Sequence, residues 1–153
     1  MYGMQPTVIA LVVALISDGH VLLEGNPGLG KTALVKALSG ALGFGEDPET
    51  HRPAVGRIQF TPDLMPSDIT GTLMPERGPD GQTDLRFRPG PIFHQLLIAD
   101  EINRATPKTQ AAMLEAMAEY QVTVLGETHN LRRERSVMLD GAVRKVRPPF
   151  MVM

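Results

Sequence analysis

The 153-residue sequence predicts an α/β layer fold built on a mainly parallel sheet. Three observations predict it. A glycine-rich loop, Gly25-Asn26-Pro27-Gly28-Leu29-Gly30-Lys31-Thr32, sits between the short apolar run Val21-Leu22-Leu23 and the helix-forming run Ala33–Leu38. A second apolar run, Leu96-Leu97-Ile98-Ala99, ends in two carboxylates, Asp100 and Glu101. Strand-like and helix-like segments alternate along the rest of the chain, as they do where helices cover a parallel sheet.

The elements follow in order. Residues 5–16 read as a helix, ended by Ser17-Asp18-Gly19. Its apolar run Val8–Ile16 is nine residues, too short to cross a bilayer. It lacks the basic flank and small-residue cleavage site of a signal peptide. A strand is expected at 20–24, the loop at 25–32, and a helix at 31–42. A Gly/Pro-rich stretch leads to a strand at 57–60, an irregular segment, and a hairpin around Gly78-Pro79-Asp80-Gly81. Gln95–Asp100 reads as a buried strand, and Thr106–Tyr120 as a helix with Thr106 as N-cap and Pro107 in the first turn. Met113, Leu114 and Met117 recur at helical spacing and read as core. Strand-like segments flank the turn signal Asp140-Gly141, and Phe150–Met153 reads as a core strand just starting. That abrupt ending predicts a fragment or a shortened reading frame.

The glycine loop carries the most specific chemistry. The spacing G-x-x-x-x-G-K-[ST] is complete, with Gly25, Gly30, Lys31 and Thr32 at the defining positions. Glycines let backbone N–H groups converge on phosphate oxygens, and the new helix points its positive end at them. Lys31 is expected to reach the β/γ-phosphates and the Thr32 hydroxyl to ligate Mg²⁺. The run ending in Asp100 and Glu101 follows Lys31 by 69 residues. In a parallel sheet such a strand end lies beside the phosphate loop. Asp100 is the expected Mg²⁺ carboxylate and Glu101 the expected base for an attacking water.

Composition limits the alternatives. Net charge is −2, so the whole chain has no bias toward nucleic acid or an anionic membrane. Residues 131–147 carry a local +4, which leaves −6 for the rest. That basic stretch has no aromatics to stack bases, which disfavours nucleic-acid binding. With no cysteine, thiol catalysis and disulfides are excluded, and a reducing cytoplasm is the expected setting. His20, His51, His94 and His129 are scattered without ligand spacing, so no metal beyond Mg²⁺ is expected.

The chain resembles MoxR-type AAA+ ATPases over nearly its whole length. The resemblance rests on Gly19–Gly25 entering the loop, Arg57-Ile58-Gln59-Phe60-Thr61-Pro62-Asp63-Leu64, Pro66–Gly71, Phe87-Arg88-Pro89-Gly90-Pro91-Ile92-Phe93, and Ala99-Asp100-Glu101-Ile102-Asn103-Arg104-Ala105. Pro107–Gln110, Leu114–Met117 and Gln121–Val124 extend it. It implies a P-loop NTPase three-layer sandwich with β-hairpin insertions at about 72–88 and 122–147. The family's sheet places strand 4 between strands 1 and 3, so residues 1–153 would be a partial core, incomplete at the C-terminus. Strand 5, the helical lid, the sensor after strand 4 and the arginine finger have no match here.

The implied function is MgATP binding and, in complete form, hydrolysis driving chaperone-like remodelling or activation of protein clients. A homo-oligomeric ring, typically a hexamer, and a partner with a von Willebrand factor A domain are implied with it. The isolated chain would be a weak ATPase. Two alternatives remain: a nucleotide-binding scaffold without turnover, and a DNA-acting AAA+ motor. Asn103 and Arg104 are expected either at a subunit interface or as a polar helix cap. Tyr2, Gly3 and Met4 would line an adenine pocket or belong to a frayed terminus. The 72–88 hairpin would contact substrate or partner, or be a solvated excursion.

Overall fold

The computed structural model describes residues 5–23, 30–43, 45–46, 51–132, 135–139, 141–146 and 151–152. Helix α1 spans Gln5–Ile16 and α2 spans Lys31–Ala41. Strand β1 is Val55–Gln59, followed by the short helix α3, Pro66–Thr70. Strands β2, Gly71–Arg77, and β3, Thr83–Pro89, form a hairpin. Strand β4, Leu96–Asp100, precedes a single 3-10 turn at Ile102–Arg104 and helix α4, Pro107–Glu119. Two further hairpins follow: β5, Gln121–Val124, with β6, Glu127–Asn130, and β7, Arg135–Leu139, with β8, Ala142–Val146. Strand β9 is Met151–Val152.

The central sheet has order β1-β4-β9, parallel at both joints. β4 is the middle strand and is buried from Leu96 through Ile98 without polar alternation, as a strand covered on both faces must be. Successive side chains point to opposite faces. Leu96 and Ile98 therefore join Leu11 and Ala14 of α1 and Leu34, Val35 and Leu38 of α2. Leu97 joins Ile58, Phe60 and Ile69 with Met113 and Ala116 of α4 and Val122 of β5. Two apolar clusters on two faces of one sheet make the three layers. Burying each of these large side chains is worth on the order of 1.5–3 kcal/mol.

β9 adds to β4 on the side away from β1. The resemblance puts strand 4 next to strand 3 in this way. No strand forms over His20–Leu23, where one was expected at 20–24; Glu24 lies outside the described residues. Among the described residues, β9 pairs Met151 with Leu96 and Val152 with Leu97. Val21 and Leu23 still pack on the α1/α2 cluster. Side chains hold this segment: the His20 ring lies 2.8 Å from the Met117 carbonyl, and Lys31 donates to the Leu23 carbonyl.

The segment expected to be irregular contains α3. Pro66 opens it, and Asp68 accepts from the Met65 N–H at 2.8 Å, half of a capping box. α4 starts as expected, with Thr106 Oγ1 accepting from Thr109 N–H. Thr109 is fully buried and donates to the Leu64 carbonyl at 2.8 Å, which ties α4 to the approach of α3. Met113 and Met117 face the core, whereas Leu114 is 62% exposed.

Candidate functional site

A cavity of about 280 Å³ opens where α2 begins and β4 ends. Leu22, Leu23, Val35 and Ile98 form its apolar wall, and Lys31, Asp100, Glu101 and Asn103 supply the polar groups. Two features far apart in sequence, the loop lysine and the strand-end carboxylates, therefore line one cavity. The parallel sheet causes this: β4 runs its carboxyl end toward the start of α2.

Each polar residue is placed by its element. Gly30 adopts φ 74° and ψ 21°, a left-handed conformation that glycine tolerates, and its carbonyl accepts from Leu34 N–H at 2.9 Å to start α2. Lys31 follows at once, half-buried, with Nζ 3.2 Å from the Leu23 carbonyl. Thr32 is half-buried in the same turn and is not among the residues lining the cavity. Gly25, Asn26, Pro27, Gly28 and Leu29 lie outside the described residues, as do Tyr2, Gly3 and Met4.

Asp100 closes β4 opposite Gln59 of β1, and its carbonyl accepts from Phe60 N–H at 2.9 Å. Its carboxylate meets the Arg57 guanidinium, with Nε 2.8 Å from Oδ2. Glu101 then turns left-handed at φ 56°, and its carbonyl accepts from Arg104 N–H at 2.9 Å to form the 3-10 turn. That turn carries Asn103 into the cavity wall and leaves Arg104 exposed and outside it. Arg57 has no signal of its own in the sequence. Its contact with Asp100 depends on which strands pair and in what register, and no local pattern encodes that.

Hard oxygen donors beside a lysine suit a phosphate-bound Mg²⁺. That ion needs one or two protein carboxylates and takes its remaining ligands from water and phosphate. Asp100, a carboxylate lining this cavity, is a donor of that kind.

An α/β sheet with a lysine at a helix start and carboxylates at the neighbouring strand end defines the nucleotide-phosphate class of fold. The family model described as the ATPase family associated with various cellular activities (AAA) matches residues 20–141. The uncharacterized protein YeaC of Bacillus subtilis (strain 168) is 46% identical over 131 residues, covering 86% of this chain and 37% of YeaC. Chaperone MoxR1 of Mycobacterium tuberculosis is 42% identical over 127 residues, covering 82% of this chain and 30% of MoxR1. The crystal structure of a Cytophaga hutchinsonii protein, named as a candidate ATPase, superposes with a TM-score of 0.67 at 35% identity. It covers 98% of this chain and 37% of that one. The chain belongs to the AAA family of ATPases, in its MoxR-type branch. It spans only about a third of the length of YeaC or MoxR1.

Proposed function

We propose that this chain binds MgATP in the cavity between α2 and β4 and serves as the nucleotide core of a MoxR-type ATPase. The observation that carries the reading is that Lys31, Asp100 and Glu101 all line the same cavity. Lys31 supplies a charge-assisted contact to the β/γ-phosphates, and the sequence pattern Gly25–Gly30 is of the kind that cradles phosphate. Thr32 and Asp100 would hold Mg²⁺, which neutralises phosphate charge when bound. Glu101 orients a water against the γ-phosphorus and accepts its proton as the bond to the leaving oxygen breaks.

Ring assembly, protein clients and a von Willebrand factor A partner belong to this proposal through the family, as does a cytoplasmic setting. Among the described residues no helix is long and apolar enough to cross a membrane. The basic segment 131–147 keeps the DNA-motor alternative testable: it requires salt-dependent capture of DNA.

The test separates binding from chemistry. Glu101→Gln is expected to retain ATP with unchanged affinity and to slow phosphate release by about 10²-fold or more, because a positioned base typically contributes that much. Measured in the protein's assembled form, wild-type turnover in Glu101→Gln would contradict the assignment.

A further inference from the structure

Arg57 does not line the cavity but contacts Asp100, which does, and the nucleotide reading leaves it without a role. The parallel register pairs Arg57 with Ile98 and Gln59 with Asp100. Arg57 therefore shares the sheet face of Asp100, one step back along the strand pair. Its side chain reaches forward, placing Nε at 2.8 Å and a terminal nitrogen at 2.5 Å from the same oxygen, Oδ2. A second contact, 3.4 Å to Gln59 Oε1, steadies the guanidinium. The Phe60 N–H bond to the Asp100 carbonyl pins the backbone beneath it.

We infer that Arg57 is a built-in counter-ion that competes with Mg²⁺ for the Asp100 carboxylate and so raises the Mg²⁺ concentration the site requires. This rests on the nucleotide reading above. The pair is not a core support: the side chains are 54% and 30% exposed, and ion pairs of that exposure add little to folding. Its effect is on the site. The guanidinium is a fixed positive charge lying against the carboxylate. Both contacts fall on Oδ2, which leaves Oδ1 as the oxygen for another cation. A divalent ion approaching Asp100 then meets a carboxylate whose charge is partly offset and a nearby positive charge. Metal alone gains little there. Metal arriving with nucleotide phosphates brings its own negative charge, so the pair biases the site toward the metal–nucleotide complex over the free ion.

The experiment titrates Mg²⁺ against a fixed concentration of a fluorescent ADP analogue. The proteins are wild type, Arg57→Ala, Arg57→Lys, Asp100→Asn and the Arg57→Ala/Asp100→Asn double variant. Arg57→Ala is expected to lower the half-saturating Mg²⁺ concentration by about three- to tenfold, the scale of one nearby charge in a partly solvated site. Arg57→Lys keeps the charge and should stay within about twofold of wild type. Asp100→Asn should raise the requirement, and on that background removing Arg57 should change it little. Thermal melts of each variant check folding; truncating a half-exposed side chain leaves no buried void. A requirement in Arg57→Ala equal to or above wild type, while Asp100→Asn raises it, would overturn this inference alone. So would Arg57→Lys falling as far as Arg57→Ala. An unaltered requirement in Asp100→Asn, or no nucleotide binding by wild type, overturns the nucleotide reading and this inference with it.

Discussion

Gly30 shows how one residue sets the site. Its left-handed backbone, φ 74°, bends the chain into the first turn of α2 and fixes where Lys31 emerges. A Cβ there would meet nothing within 4 Å, so replacing it costs backbone conformation and not space. Gly30→Ala is expected to lower stability by about 1–2 kcal/mol, measured by urea unfolding, and to weaken nucleotide binding by misplacing Lys31. Glu101 holds the same kind of conformation without glycine's freedom, at φ 56°. Such strain costs on the order of 1 kcal/mol and concentrates at functional positions. Here it turns the chain sharply after Asp100, and both acids line one cavity. These positions could be singled out as candidates because their spacing is local: a complete loop pattern, and an apolar run ending in Asp100-Glu101. The Arg57–Asp100 contact was not legible, because it joins residues 43 positions apart through strand register.

Elements hold the site through contacts that sequence shows only in part. β4 and α4 were readable from an unbroken apolar run and from Thr106-Pro107 before a helical pattern. α3 was missed although Pro66 and Asp68 are start signals, because five residues are too few to show a helical period. The strand expected at 20–24 had the right composition, yet no strand forms over 20–23, where Val21 and Leu23 pack on the α1/α2 cluster instead. The joint between β1 and β4 also depends on a glycine whose role is spatial. Gly56 is buried in β1, and a Cβ on it would come within 2.4 Å of the His94 ring. His94 is held there by its Nδ1 contact with the Pro91 carbonyl at 2.6 Å, with Arg52 nearby donating to the Pro89 and Gly90 carbonyls. Gly56→Ala is expected to destabilise by about 1–3 kcal/mol through forced movement of that ring, read as a lower denaturation midpoint with an unchanged slope.

At the scale of the whole molecule, the same histidine gives stability a pH dependence. Burial pushes the His94 imidazole below its ordinary value, opposed by its bond to the Pro91 carbonyl and reinforced by the Arg52 charge. The unfolded chain takes up a proton below about pH 6.5, while folded His94 resists until a lower pH. Stability is therefore full above that value and falls as pH drops toward the folded pKa. His94→Gln should flatten this limb in denaturation series between about pH 7.5 and 5.5. The cavity lies between the start of α2 and the end of β4, within the residues 20–141 that match the AAA family model. The central claim is that this cavity binds nucleotide phosphate through Lys31. Calorimetric titration of MgADP into wild type and Lys31→Ala, at matched salt and Mg²⁺, tests it most directly. Saturable binding by wild type, weakened by about tenfold or more in Lys31→Ala, is the predicted result, since one charge-assisted phosphate contact is lost. Equal affinity in the two proteins, or no binding by a folded wild type, would contradict that claim.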